Sequence, residues 1–100
     1  MTRIVSKKLR DSARGQDCTL RLPGCRFNPE YTVLCHLPVG MKGMSMKSPD
    51  LFAAFGCDHC HGVIDGRIKG EYDHSDLLRA LAETQMKWVQ MGLLTVKGVA

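Results

Sequence analysis

The stretch "GCDHCHGVID" at residues 56–65 sets Cys57 and Cys60 in a C-x-x-C spacing and puts His61 directly behind them. Four thiol or imidazole groups within residues 57–61 are more than packing requires. Two sulfurs at that spacing reach one tetrahedral ion, and a short chain then folds around whatever they hold. The stretch leaves two possibilities: one structural metal, or a structural metal beside a second, working site.

Length sharpens the point. A chain of 100 residues reads as one domain. By size scaling it buries roughly 60–70 % of its unfolded surface, so its core is thin. With aromatic residues at 6 % of the chain, a staple besides apolar packing is expected. Five cysteines are its obvious source. The first residues, "MTRIVSKKLRDSARG", lack the roughly 7–15-residue apolar run of an export signal. No segment approaches the ~18 apolar residues of a membrane span. The expected setting is a reducing cytoplasm, where clustered cysteines signify metal or redox chemistry more than disulfides.

The formal net charge is +4. Arg3, Lys7, Lys8, Arg10 and Arg14 against Asp11 account for all of it, and the remaining residues balance. Such a segment suits a phosphate-binding helix, or equally a solvated face.

Along the chain, Ile4, Val5, Leu9 and Ala13 predict a short basic helix ending at Gly15. "CTLRLPGC" (18–25) alternates like a strand and turns at Pro23-Gly24. "FNPEY" (27–31) is turn material, and "TVLCHL" (32–37) is a strand closed by Pro38. Residues 38–50 show no period and read as a loop folded over something. "LFAAFG" (51–56) reads as a short strand, with a helical turn as the alternative. A helix is expected from Asp58, as N-cap, to about Arg67. The clearest helix spans 75–91, capped by Asp73 or Ser75, burying Leu77, Leu78, Leu81, Gln85, Trp88 and Val89, and stopped by Gly92. "LLTVKGVA" is a terminal strand or tail.

Cys57 and Cys60 with Cys18 and Cys25 complete an all-cysteine ligand set, the first pair spanning an enlarged loop. Four thiolates leave no position for substrate, so such a zinc site is structural. Its binding free energy, roughly 10–16 kcal/mol in small zinc domains, rivals the stability of a whole small domain. The competing reading makes Cys18 and Cys25 buried apolar residues and Cys57 and Cys60 a redox pair, but the βαβ pattern of such pairs is missing.

His61 and Asp65 stand four apart, on one helix face and about a quarter-turn from the two cysteines. One helix can thus hold zinc on one side and offer an imidazole and a carboxylate from the other, a set suited to a divalent ion with open positions. Alone, His61 reads more simply as a fourth zinc ligand or a surface residue, and Asp65 as a residue that solvates the helix. His36, near the end of the "TVLCHL" strand, supplies a partner: its ordinary pKa near ~6.5 suits a general base at neutral pH. His59 has no assigned role and is expected to be a solvent-exposed spacer.

The series Cys…Cys, "LCHL", "GMSMKSPDL" and "CDHCHGVID" resembles the zinc-bearing HNH (ββα-metal, or His-Me finger) endonucleases. More closely it resembles the small prophage-encoded, YbcO-like candidate nucleases, from about Leu9 to Arg67 and more weakly through the last helix. The resemblance implies an α+β fold: a small zinc-stabilised ββα-metal domain with an N-terminal basic helix (1–15), a knuckle-plus-core (18–67) and a long C-terminal helix (73–92). It implies that His36 activates water and that His61, with Asp65 as a possible second ligand, binds catalytic Mg²⁺ or Mn²⁺. Asp50 is the nearest candidate for the residue that braces the loop and orients the base. Two positions depart from the pattern. Cys35 stands where a His or Asp metal ligand is usual, and Asp50 where asparagine is usual.

The expected activity is metal-dependent hydrolysis of double-stranded or branched DNA with little sequence preference. Lys7, Lys8, Arg10, Arg14, Lys47 and Arg67 are the candidate phosphate contacts. The alternatives are a zinc-stabilised nucleic-acid-binding module without catalysis, or an adaptor docking through its last helix.

Overall fold

A computed structural model describes residues 5–38 and 48–98. Among these the chain forms helix α1 (Lys7–Asp11), strands β1 (Val33–His36) and β2 (Ala53–Gly56), and helices α2 (Asp58–Asp65) and α3 (His74–Gln90). One-turn 3-10 helices at Pro29–Tyr31 and Asp50–Phe52 lead into the two strands. The architecture is α+β.

The strands pair antiparallel, with Leu34 opposite Phe55, Cys35 opposite Ala54 and His36 opposite Ala53. Side chains alternate between faces along a strand, so this register sorts the core into two halves. Cys35 and Ala54 join the cysteine-lined cluster with Leu20, Leu22, Val63, Leu77 and Ala80. Leu34 and Phe55 face the other cluster, with Leu9, Ala13 and Trp88. Phe55 and Trp88 meet edge to face, with ring centroids 6.1 Å apart. His36, two residues after Leu34, therefore lies on the α1 side of the sheet.

Ser6 caps α1 by accepting the Leu9 N–H at 3.2 Å, and a turn carries the chain on to Gly15 at φ 76°. α2 is capped by Cys57 and not by Asp58: the Cys57 sulfur accepts the Cys60 N–H at 3.4 Å. Gly66, at φ 82°, ends it before Arg67. Asp73 and Asp76 form a reciprocal capping box on α3.

Several expectations are corrected. Residues 18–25 form no strand: Arg21 adopts φ 45° and turns the chain after one ladder-like bond, Thr19 N–H to Phe55 O at 2.7 Å. In "LFAAFG" the strand begins only at Ala53, after the helical turn. The buried face of α3 is Leu77, Ala80, Thr84 and Trp88, while Leu78 and Val89 are exposed. That face runs one residue off the expected phase because Thr84 is drawn inward, bonding Thr19 Oγ1 at 3.0 Å and the Phe55 N–H at 3.2 Å. Of the two readings of the C-terminal segment, residues 93–98 follow the tail and not the strand. No helix among the described residues is long and apolar enough to cross a membrane.

Candidate active site and metal centre

The segment before β1 and the start of α2 converge on one point. The sulfurs of Cys18, Cys25, Cys57 and Cys60 all lie within 4.8 Å of one another. Cys25 and Cys57 are 3.8 Å apart. A tetrahedron with Zn–S of about 2.3 Å has edges of about 3.8 Å, so the spacing fits that ion. Backbone N–H groups turn inward around the set, with Arg21 reaching Cys18 Sγ at 3.4 Å and Phe27 reaching Cys25. The hydrogen bond from Cys60 drives Cys18 down to about 5. Burial pushes Cys25 up to about 11, and sharing its proton with Cys18 pushes Cys60 up. One thiolate forms readily, and its charge holds back Cys25 and Cys60. Such a cage ionises fully only around a cation. The four cysteines can hold a metal ion and are compatible with structural zinc.

His59 is not a free spacer. Its ring packs over the Pro23-Gly24 turn, with Nε2 2.9 Å from Pro23 O. Gly24 sits at φ 89°, and a Cβ there would lie 2.4 Å from that nitrogen. The turn between Cys18 and Cys25 is thus clamped to α2 from outside the sulfur cage. The C-x-H-C order is the one sequence signal for this contact.

Cys35 is fully buried, and burial pushes its thiol up to about 12. It remains a protonated core residue outside the sulfur group.

On the other face of the sheet, His36 Nε2 lies 2.7 Å from Asp50 Oδ1. Asp50 is 1 % exposed. Its other oxygen accepts the Ser6 N–H at 2.7 Å and Arg10 Nε at 3.0 Å, while Arg10 Nη2 is 3.3 Å from Oδ1. Burial alone raises the Asp50 carboxyl, but the bonds from His36, Ser6 and Arg10 outweigh it and hold the group below the usual carboxylate range. The bracing role of Arg10 and Ser6 is absent from the sequence reading; only the fold brings residues 6 and 10 to residue 50.

His61 and Asp65 share a face of α2, with Nε2 and Oδ2 3.2 Å apart. His36, His61 and Asp65 line one recess of about 390 Å³ with Ser48 and Ile64. A second groove of similar volume, also containing His36 and His61, extends along α1 past Arg10, Arg14 and Thr32. The histidines thus stand where two grooves meet. Thr32 Oγ1 is buried without a hydrogen-bond partner among the described residues.

The basic candidates divide. Arg14 lines the groove; Lys8 is exposed; Lys7 is exposed and pairs with Asp11 at 2.7 Å. Arg10 is half exposed but engaged with Asp50, and Arg67 lies 3.5 Å from Asp65. Lys47, with most of the 38–50 loop, lies outside the described residues.

A family model described as "Putative nuclease YbcO" matches residues 7–93. Two curated relatives, "Putative nuclease YbcO" of Escherichia coli (strain K12) and "Putative nuclease ybcO" of Enterobacteria phage 82, are each 40% identical over 91 residues. Each alignment covers 86% of this chain and 95% of the relative. A solved structure, "Structure of a putative bacteriophage protein from Escherichia coli str. K-12 substr. MG1655", matches with TM-score 0.66 at 36% identity, over 85% of this chain and 100% of the other.

Proposed function

Because the chain belongs to the family described as "Putative nuclease YbcO", we propose that it is an HNH-type, metal-dependent endonuclease hydrolysing DNA phosphodiester bonds. The observation that carries this reading is the His36–Asp50 contact of 2.7 Å at the junction of two grooves also lined by His61. The order strand, strand, helix, with C-x-x-C-H on the helix, supports the ββα-metal assignment. In this reading Cys18, Cys25, Cys57 and Cys60 hold structural zinc.

His61 and Asp65 are the proposed ligands of Mg²⁺ or Mn²⁺. Their 3.2 Å separation is close to the ~3 Å between neighbouring corners of an octahedron with ~2.1 Å bonds. When bound, such an ion supplies Lewis-acid stabilisation of the developing phosphoryl charge and the leaving 3′-oxygen.

Asp50, kept ionised by Arg10 and the Ser6 N–H, accepts the proton-bearing Nε2 of His36. That fixes the tautomer and leaves Nδ1 as the nitrogen that takes a proton from water for in-line attack. The same carboxylate then stabilises the imidazolium. Asp50 is in this sense a positioning residue. Lys7, Lys8, Arg14, Lys47 and Arg67 contact backbone phosphates, with Arg10 shared between phosphate and Asp50. Those contacts carry no sequence information and give a steep salt dependence.

The test is cleavage of supercoiled, linear and branched DNA by zinc-loaded protein with Mg²⁺ or Mn²⁺. Cutting that His36→Ala abolishes supports the proposal. Metal-dependent cutting of none of the three overturns it in favour of a non-catalytic binding module. The observation favouring that second reading is Cys35, whose buried, protonated thiol supplies no ligand from β1.

A further inference from the structure

Phe27 is the most exposed large apolar side chain among the described residues, at 71%. Its backbone stands at φ 53°, a region costly for any residue with a Cβ and comfortable for glycine. The cysteine knuckle explains the backbone, because the turn aims the Phe27 N–H at Cys25. It does not explain the ring. A glycine would serve the turn better, and the benzyl group packs into neither core cluster.

The ring stands on a braced spur. Behind it, the Arg26 guanidinium sits over Tyr31, its Cζ 4.1 Å from the ring centroid, and reaches Asp58 on α2 at 3.3 Å. Ahead of it, Asn28 Oδ1 accepts the Glu30 N–H and opens the 3-10 turn Pro29–Tyr31. Tyr31 is partly exposed and is followed directly by Thr32 and Val33, which line the groove that also holds Arg10, Arg14, His36 and His61. Arg10 and Arg14 give the groove its positive charge, and its one acidic lining residue, Asp11, is paired with Lys7. A basic groove therefore runs from the candidate catalytic histidines to the root of an aromatic spur. Phe27 stands nine residues before His36, at most about 31 Å away in extended chain and less through the 3-10 turn, a length of several nucleotides.

We propose that Phe27 is a stacking site for an unpaired nucleobase, held several nucleotides from the bond cut at His36. This rests on the nuclease reading and deepens it by naming the substrate class: DNA with unstacked bases beside duplex, such as a gap, flap or branch. An exposed aromatic is of little use against paired DNA, whose base faces are covered. It is well matched to a base out of the stack, and such stacking is sequence-tolerant.

The experiment uses the full zinc-loaded chain carrying His36→Ala, so that binding is read without cutting. Fluorescence anisotropy measures affinity for a gapped oligonucleotide with 2-aminopurine in the gap, and for the matching continuous duplex. 2-Aminopurine emission reports stacking directly. Phe27→Gly is expected to fold at least as stably, relieve 2-aminopurine quenching, and weaken gapped-DNA binding by roughly 10-fold or more with duplex binding unchanged. Phe27→Trp is expected to restore both signals. Equal gapped-DNA affinity in wild type and Phe27→Gly overturns the inference and leaves the nuclease reading standing. Equal loss on gapped and duplex DNA, or a lowered melting temperature for Phe27→Gly, assigns the ring a structural role and also overturns it. No binding to either DNA, with no cleavage by the His36 form, brings down the nuclease reading and this inference together.

Discussion

Asp50 Oδ1 lies 2.7 Å from His36 Nε2, across fourteen residues of sequence. The strand register makes the contact: His36 pairs with Ala53, and the 3-10 turn of residues 50–52 swings Asp50 back over the strand end. If His36 is the base, His36→Ala should lower metal-dependent cleavage by roughly 10²–10⁴-fold. Melting temperature should fall modestly, for the one bond lost by buried Asp50, while metal content stays near wild type. Single-turnover cleavage beside a melting curve checks both.

Asp50 should dominate the acid limb of stability. Its folded carboxyl is held below the usual range, so its contribution is complete above the unfolded pKa of about 4. That contribution is lost as pH falls through the lower folded value. Asp50→Asn should therefore cost most near neutral pH, about 2–3 kcal/mol for a buried acceptor of charge-assisted bonds. The gap from wild type should close on acidification. Urea melts at several pH values measure it.

The four-cysteine centre should be inseparable from folding. Cys60→Ser, or strong chelation, is expected to abolish the cooperative thermal transition and the near-ultraviolet dichroism. Cys35→Ala should retain one metal per chain and lose only about 1–2 kcal/mol, the cost of a small cavity. Metal analysis of the purified variants separates the two classes of cysteine.

Gly24→Ala should destabilise the knuckle by about 1–3 kcal/mol, through both the left-handed backbone and the clash with His59. Adding His59→Ala removes the clash. The double variant should then be less damaged than the sum of the singles. Rates of metal transfer from the cysteine centre to a chromogenic chelator give the ordering.

What was legible in the sequence follows the range of the interactions. The sulfur set could be found because ligand spacing is local in each half: C-x-x-C on α2, and a Cys18/Cys25 turn marked by Pro23-Gly24. α3 was legible from its cap and its period, but its buried face was misphased. No pattern announces that Thr84 will be drawn in by Thr19 and the Phe55 amide. The strand expected at residues 18–25 failed because sulfur-directed N–H bonds, not a neighbouring strand, set that backbone. His36, Asp50, His61 and Asp65 could be named one by one. That Arg10 and Ser6 stand behind Asp50 depends on contacts spanning 40 and 44 residues, which period and spacing do not carry.

The chain's single tryptophan, Trp88, is fully buried and donates its indole N–H to Ser12 Oγ at 2.7 Å. It thereby fastens the turn after α1 to the last turns of α3. An indole so placed is an intrinsic optical probe of one joint. If the N-terminal segment lifts away, emission shifts to the red while helical dichroism, carried mainly by α3, stays nearly constant. Since that segment carries Arg10, such a shift marks the moment Asp50 loses its counter-charge. Loss of the brace and loss of the fold are thus spectroscopically separable without any label.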